Sequence, residues 1–202
     1  TGNGIQGLSQ PKSQIDAGNS GTMARLLSGI LSTQSFNSAI SGDESLVSRP
    51  MKRIIEPLES FGALIKSNDD RLPMSFEPST LMKPIVYHSK IPSAQVKSSL
   101  ILAALNIKGE SVISEDVITR DHTERLLSYL EYPFMNDKGV ITLQGCKNLV
   151  AKDILTIHQG GHVEGSIRYG RIIIEAGGEI TGDMASLEVQ RRAPAEHNDP
   201  TD

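Results

Sequence analysis

Aromatic residues are scarce in this sequence, which has no tryptophan and only 4% aromatic residues. The core of any folded domain must therefore be aliphatic. The single cysteine, Cys146, excludes an internal disulfide and fits a reducing compartment, so we expect a cytoplasmic location. No apolar run approaches the roughly 20 residues of a membrane-spanning helix. The net charge of -4 gives no reason to expect nucleic acid or an anionic membrane as a partner.

The residues that are present are typical of a globular protein. The 202 residues are 38% hydrophobic and 22% charged, which suits one domain of moderate size with an appendage. The first residue is threonine and no signal peptide is visible, so we expect a processed, trimmed or partial product.

Two parts of the sequence repeat one pattern at an offset of 73 residues. The segments Ser20–Asp43 and Ser93–Asp116 each begin with serine, continue into an apolar-periodic stretch and a short β-like run, and end on an acidic residue. A further helix and two short strands are predicted after each segment, and an extended stretch before it. The pattern predicts an α/β fold of two βαβαββ units of about 70 residues, at about 1–78 and 79–156.

Turn and cap residues support these limits. Pro50 is predicted to lie in the first turn of a helix, and Gly62 to follow the end of that helix. Asp121 and Glu124 have the spacing of a capping box. Lys97 is predicted to belong to a solvent-exposed face.

The stretch Gly18–Leu27 leads from a small polar loop into an amphipathic segment that is predicted to begin at Met23. Its glycines can adopt backbone angles closed to other residues, and its serine, threonine and asparagine are good helix N-caps. Two interpretations stay open. The loop is either a binding site for a phosphate or carboxylate on free backbone N–H groups, or an ordinary helix N-cap. The loop has neither the GxGxxG spacing nor a Gly-Lys-Ser/Thr ending.

The repeat also places two arginines, Arg49 and Arg120, at equivalent strand-to-helix turns. The helix starts at Ser20 and Ser93 are equivalent as well. Such turns gather at one end of the sheets in an α/β arrangement, so we expect a site for more than one anionic group. The alternative is that both arginines pair with neighbouring acidic residues on the surface.

Four motifs carry a resemblance to a known family. In chain order they read GNSGTMARLL, GDESLVSRPMKR, IPSAQVKSSLILAAL and TRDHTERLL, and they resemble 5-enolpyruvylshikimate-3-phosphate synthases, particularly the bacterial class II, across about residues 1–155. The resemblance implies transfer of the enolpyruvyl group of phosphoenolpyruvate to shikimate 3-phosphate, in the shikimate pathway to chorismate and the aromatic amino acids. It implies no metal and no organic cofactor. It also implies an inverse α/β barrel-like fold of two domains, each made of three βαβαββ units.

The same resemblance implies roles for particular residues. It assigns phosphoenolpyruvate to Asn19, Gly21, Thr22, Arg49 and Gln95. It assigns shikimate 3-phosphate to Ser93, Ala94, Gln95 and Arg120. The Lys-Ser…Arg segment that precedes these motifs in the family, and the second domain with its catalytic carboxylates, are not in this sequence. No catalytic residue is therefore assigned, and we expect at most weak anion binding without turnover from this chain alone.

A different pattern follows the repeats. The six residues from His162 recur at Glu179, an offset of 17, with alternating apolar residues and a glycine at each turn. Residues 157–186 are predicted to form a short β-solenoid, and about 25 of them resemble the end of a bactofilin, a polymer-forming cytoskeletal family. The alternative function is thus a self-assembling scaffold with an inherited enzyme fragment. The residues from 187 to 202 are predicted to be a disordered tail, and residues 1–156 a partial enolpyruvyl transferase domain.

Overall fold

The computed structural model describes residues 8–79, 82–146, 154–157, 160–164, 167–169, 171–174, 176–181 and 184–186. The chain divides into two compact units, Asn3–Leu149 and a second that comprises Val150–Asp202 with Thr1–Gly2. Among the described residues, no helix is both long and apolar enough to cross a membrane. The tail predicted at 187–202 lies outside the described residues.

The described residues of the first half of the larger unit form one four-stranded sheet with three helices. Its elements in chain order are β1 (Ile15–Asp16), α1 (Gly21–Leu31), β2 (Ser38–Ser41), α2 (Glu44–Val47), α3 (Lys52–Ser60), β3 (Leu64–Asn68) and β4 (Arg71–Glu77). The strand order is β1-β2-β4-β3, in which β1 and β2 are parallel and the other pairs antiparallel.

The second half repeats this arrangement without a counterpart of α2. Its elements are β5 (Val86–Ser89), α4 (Ala94–Ala104), β6 (Glu110–Glu115), α5 (His122–Tyr129), β7 (Phe134–Asp137) and β8 (Val140–Gln144). The strand order β5-β6-β8-β7 again has one parallel pair followed by two antiparallel pairs. Both halves therefore have the predicted βαβαββ order, and the α/β class is confirmed.

The two halves share their packing. Helices α1 and α4 lie against each other, and a Cβ atom added at Gly29 of α1 would lie 2.0 Å from the carbonyl oxygen of Ser99 of α4. The apolar residues Ile54 and Leu58 of α3 lie in the same buried cluster as Leu100 and Ile101 of α4. The first half thus contributes side chains to the core of the second. Helices α1 and α4 can approach closely because Gly29 has no side chain where they meet.

The predicted helix limits agree with the structure except at Pro50. Helix α1 begins at Gly21, with the predicted helix start Ser20 at its N-cap, so it includes the two residues before the predicted amphipathic segment from Met23. Ser20 caps the helix by accepting a hydrogen bond from the backbone N–H of Met23 at 3.1 Å. Pro50 precedes the helix instead of lying in its first turn, since α3 begins at Lys52. Gly62 follows the end of α3 with φ of 103°, as predicted for a C-terminal glycine.

The predicted capping box at the start of α5 is wrong. Asp121 occupies the N-cap position, but its side chain makes no capping hydrogen bond. Glu124 is buried rather than turned back to the helix start, and its carboxylate lies against the amine of Lys97. Glu124 thus forms an ion pair in the core and not a cap at the start of its helix. The spacing of Asp121 and Glu124 alone could not distinguish these two arrangements.

The described residues of the second unit form six short strands: β9 (Ile154–Ile157), β10 (His162–Glu164), β11 (Ile167–Tyr169), β12 (Arg171–Ile174), β13 (Glu179–Thr181) and β14 (Met184–Ser186). They form three parallel pairs, β9 with β12, β10 with β13 and β11 with β14. Each residue pairs with the one 17 positions away, for example His162 with Glu179, so the sequence offset is the strand register. Strand β9 pairs here, although residues up to 156 were assigned to the first domain.

Candidate functional site

The loop between β1 and α1 is held in place by the loop between β2 and α2. The carboxylate of Asp16 accepts a hydrogen bond from the backbone N–H of Gly18 at 2.8 Å. The carbonyl oxygen of Gly18 in turn accepts from the backbone N–H of Asp43 at 2.9 Å. Gly18 has φ of 55°, a left-handed conformation that favours glycine. The glycine-containing loop thus has a defined shape at the positive end of α1.

A chain of side-chain contacts runs from this loop to Arg49. Asn19 donates through Nδ2 to Asp43 Oδ2 at 2.7 Å, and its Oδ1 accepts from Arg49 Nη2 at 2.8 Å. Arg49 Nη2 also donates to Ser45 Oγ at 3.1 Å. Asp43 is itself fixed because it caps α2, accepting from the backbone N–H of Leu46 at 2.8 Å. These bonds orient Arg49 beside the start of α1, and its Nε and Nη1 groups donate to none of the described residues.

This chain of contacts makes a prediction about Asp43. The Asn19 side chain and the backbone N–H of Leu46 stabilise the ionised carboxylate, and they lower the pKa of Asp43 below its ordinary value. Any stability that Asp43 contributes is present above its unfolded pKa and is lost as the pH falls through the lower folded pKa. We expect Asn19→Ala to move this pKa upward, measured by NMR titration of the side-chain carboxyl carbon. Ser48→Ala, which alters a nearby hydroxyl without touching Asp43, is the control, and an unchanged pKa in Asn19→Ala would contradict the assignment.

A second set of contacts joins the two repeats across α1 and α4. Gln95 donates through Nε2 to Thr22 Oγ1 at 2.9 Å, and its Oε1 accepts from Arg25 Nη1 at 3.1 Å. Arg25 also reaches the carbonyl oxygen of Pro50 at 3.4 Å. Burial lowers the pKa of Arg25, and the nearby positive charges of Arg49 and Arg53 lower it further. Cationic groups therefore converge here, which is the electrostatic setting of an anion site.

Arg25 was not identified from the sequence. It lies four residues after Gly21, on the same face of α1, and a Cβ added at Gly21 would lie 2.8 Å from Arg25 Nη1 and 3.4 Å from Arg49 Nη1. The spacing of four residues between Gly21 and Arg25 was the sequence signal that could have identified Arg25 as a site residue. The absent side chain at Gly21 leaves room for both guanidinium groups.

The start of α4 repeats the capping of α1. Ser93 caps the helix and accepts a hydrogen bond from the backbone N–H of Val96 at 3.4 Å. Ala94 is the first residue of the helix and Gln95 the second. A cavity of about 380 Å³ opens beside this helix start, and its lining includes Arg53, Tyr87, His88, Lys90 and Ser93.

The prediction that Lys97 lies on a solvated face is wrong. Its side chain is 3% exposed, and its Nζ lies 2.8 Å from Glu115 Oε1 and 2.7 Å from Glu124 Oε1. The second contact is an ion pair by distance rather than a well-aligned hydrogen bond. Burial alone would lower the pKa of Lys97, but its close pairing with the two carboxylates raises it. Burial would likewise raise the pKa of Glu115, yet Lys97 and Thr119 lower it.

The structure brings most of the predicted site residues together. One connected group around the start of α1 contains Asn19, Gly21, Thr22, Arg49 and Gln95. Gln95 follows Ser93 and Ala94 directly in the chain. Arg120 is exposed and makes no hydrogen bond or ion pair with any residue that the structure describes. Arg49 likewise forms no ion pair with an acidic residue in the described part of the chain. The alternative that both arginines pair with surface acids is therefore not seen there.

Comparison with known proteins decides the family. The family model of EPSP synthase (3-phosphoshikimate 1-carboxyvinyltransferase) matches residues 1–157. The chain belongs to the EPSP synthase family. A 3-phosphoshikimate 1-carboxyvinyltransferase of Vesicomyosocius okutanii is 47% identical over 153 residues, 76% of this chain and 35% of the relative. The structure of EPSP synthase from Acinetobacter baumannii superposes with a TM-score of 0.70 and 43% identity, covering 74% of this chain and 34% of that one.

The enzyme of Bacillus cereus, also a 3-phosphoshikimate 1-carboxyvinyltransferase, shows how far the family likeness extends. It is 39% identical over 191 residues, which is 93% of this chain and 42% of the relative, so the likeness includes residues beyond 157. The chain spans about a third to two fifths of the length of these EPSP synthase relatives. The motifs in Gly18–Leu27 and around Arg49, Gln95 and Arg120 lie within the matched region.

Proposed function

We propose that this chain forms part of the substrate site of a 3-phosphoshikimate 1-carboxyvinyltransferase, which transfers the enolpyruvyl group of phosphoenolpyruvate to shikimate 3-phosphate. Phosphoenolpyruvate is bound by Asn19, Gly21, Thr22, Arg49 and Gln95. Shikimate 3-phosphate is bound by Ser93, Ala94, Gln95 and Arg120. The observation that supports this most is the contact of Gln95 with both Thr22 and Arg25, because one residue of the second repeat then faces the anion loop of the first. The Arg120–Arg125 run supports assignment to class II.

Positioning and charge neutralisation account for the chemistry that these residues can supply. Both substrates are polyanions, and guanidinium groups and helix N-termini are well suited to phosphate and carboxylate oxygens. Pre-formed donors such as Arg49, already held by Asn19 and Ser45, do not have to be ordered when the ligand binds. We assign no general acid or base to this chain, so the proposed function is tested by measuring substrate binding and not turnover.

The test is titration of the 202-residue chain with shikimate 3-phosphate by calorimetry, and then with phosphoenolpyruvate. A hydrogen bond to a charged group contributes about 1.5–3 kcal/mol, so Arg120→Ala should weaken binding of shikimate 3-phosphate by roughly 10- to 100-fold. Arg49→Ala should weaken phosphoenolpyruvate binding by a similar factor. Arg71→Ala, at an exposed arginine on β4, is the matched control and should bind as the parent does. No saturable binding, or equal losses in the Arg71 variant, would overturn the proposal.

The absent side chain at Gly21 leads to a further prediction. A methyl group there would lie within 2.8 Å of Arg25 Nη1, which is the flexible end of a side chain, so the guanidinium must move while the backbone stays. Gly21→Ala is expected to weaken phosphoenolpyruvate binding about tenfold, since one displaced charged contact costs roughly 1.4 kcal/mol or more. The measurement is an NMR titration with phosphoenolpyruvate at saturating shikimate 3-phosphate. The fold should persist, because alanine is a good helix former; a lower unfolding temperature with unchanged affinity would contradict the prediction.

A second candidate function, a self-assembling scaffold, is favoured by one observation. The three parallel strand pairs share a register of 17 residues, as in coils of a β-solenoid. Among the described residues each pair is a two-stranded sheet, and further strands could add to its outer edges. Sedimentation velocity over a range of protein concentration tests it: growing oligomers or filaments support the scaffold and its bactofilin-like character, and a monomer at every concentration contradicts both.

A further inference from the structure

A buried group of three charged side chains lies beside the turn that carries Arg120. Lys97 comes from α4, Glu115 is the last residue of β6, and Glu124 is in α5. The three side chains are between 2% and 5% exposed, with the Lys97 amine between the two carboxyl groups. Removing such groups from water is costly, so a buried ion cluster is by itself weak evidence for a stabilising role.

The cluster holds the residue immediately before Arg120. Glu115 Oε1 accepts a hydrogen bond from the backbone N–H of Thr119 at 2.9 Å, and Glu115 Oε2 accepts from the Thr119 hydroxyl at 2.7 Å. Lys97 Nζ approaches the carbonyl oxygen of Thr119 at 3.5 Å. All three polar groups of Thr119 therefore face the cluster.

The cluster also holds the helix after Arg120. Glu124 turns inward to Lys97 instead of capping its own helix, and the neighbouring Thr123 donates through Oγ1 to Ser98 Oγ at 2.7 Å. Helix α5 is thus tied to the part of α4 that follows Gln95. Arg120 lies between two anchored segments, while its own guanidinium has no partner among the described residues.

We propose that Lys97, Glu115 and Glu124 are positioning residues for Arg120. These three residues hold the Thr119–Arg120 turn against α4, and they orient the Arg120 guanidinium toward a phosphate bound beside Ser93–Gln95. This inference rests on the proposed function for the identity of the phosphate. The ligand class is a phosphorylated polyol, and the phosphate is the group that the cluster helps to select. Pre-orientation of a charged side chain reduces the ordering cost of binding.

The decisive variants differ in whether they keep the bonds to Thr119. Glu115→Ala removes both acceptors, whereas Glu115→Gln keeps an oxygen acceptor for the Thr119 N–H and a polar partner for its hydroxyl. We expect Glu115→Ala to weaken shikimate 3-phosphate binding at least tenfold and to leave binding of unphosphorylated shikimate unchanged. Glu115→Gln should stay within about threefold of the parent. Glu77→Gln, in the exposed pair with Lys66, is the control for loss of a carboxylate.

Amide hydrogen exchange separates failure of this inference from failure of the proposed function. The Thr119 amide should exchange slowly in the parent chain and in Glu115→Gln, and faster in Glu115→Ala. If the parent binds no shikimate 3-phosphate, the proposed function fails, while slow exchange that depends on Glu115 still supports anchoring of the turn. Equal losses for shikimate and its phosphate, or unchanged Thr119 exchange in Glu115→Ala, overturn the positioning role. If Glu115→Ala does not fold, Thr119→Val is measured in its place, because it removes the hydroxyl that donates to Glu115 Oε2. It should show the same selective loss of shikimate 3-phosphate binding and faster exchange of the amide at position 119, and unchanged binding and exchange would overturn the positioning role.

Discussion

Lys97→Met is expected to lower the free energy of unfolding by about 3–5 kcal/mol, the usual cost of removing one partner from a buried ion pair. The loss is large because methionine fills the space of the lysine stem but leaves Glu115 and Glu124 facing each other without a cation. Glu124 Oε2 already has no hydrogen-bond partner among the described residues, so nothing there can compensate. Urea unfolding followed by far-ultraviolet circular dichroism measures the change.

The matched control is Lys66→Met, which removes a lysine from an exposed ion pair with Glu77. Exposed pairs contribute about 0–1 kcal/mol, so this variant should unfold nearly as the parent does. Adding Glu115→Gln and Glu124→Gln to Lys97→Met should restore part of the stability, because the unpaired carboxylates are then removed. A Lys97→Met variant within about 1 kcal/mol of the parent would contradict the argument.

The effect of Lys97→Met should also depend on pH. The raised pKa of Lys97 means that its contribution is fully present below its unfolded pKa and is lost as the pH rises through the higher folded value. The lowered pKa of Glu115 means that its contribution is present above its unfolded pKa and is lost as the pH falls through the lower folded value. The difference between parent and variant is therefore expected to be largest at neutral pH and smaller at both extremes.

Gly29→Ala is expected to lower the free energy of unfolding by about 2–3 kcal/mol, even though alanine is intrinsically the better helix former by roughly 1 kcal/mol. The added Cβ would lie 2.0 Å from the carbonyl oxygen and 2.8 Å from the carbonyl carbon of Ser99. Backbone atoms cannot rotate away as a side chain can, so α1 and α4 must separate. That separation also disturbs Gln95, whose contacts with Thr22 and Arg25 bridge the same two helices.

The control for Gly29→Ala is Met23→Ala, at a position of the same helix that is 42% exposed. A substitution on that side should change stability by no more than about 0.5–1 kcal/mol. Both variants are measured by urea unfolding, with shikimate 3-phosphate binding as a second readout. Stability of Gly29→Ala equal to or above that of the parent would show that the two helices have room to move apart.

Local sequence patterns were enough to predict the repeated unit and much of the loop before α1. Strand β2, Ser38–Ser41, lies in the segment Ser20–Asp43 where a short β-like run was predicted, because a short apolar run between turn residues has few alternatives. The 17-residue offset after His162 is the register of the parallel pairs, because such a register follows the repeat length directly. The loop at Gly18 was recognisable because its glycines and cap residues act within a few positions of one another.

Tertiary packing alone decided the surroundings of Lys97, Arg25 and Gly29. A lysine in a helix pattern indicates a solvated face unless another element covers it, and α1, β6 and α5 cover α4 from parts of the chain far away in sequence. The same holds for Glu124, which has the spacing of a local cap but pairs with a residue 27 positions earlier. By itself, the sequence determined the secondary-structure order, the repeat and the family motifs, since these depend on neighbouring residues. Which charges are buried, and which arginine has no partner among the described residues, depends on how the two repeats pack together.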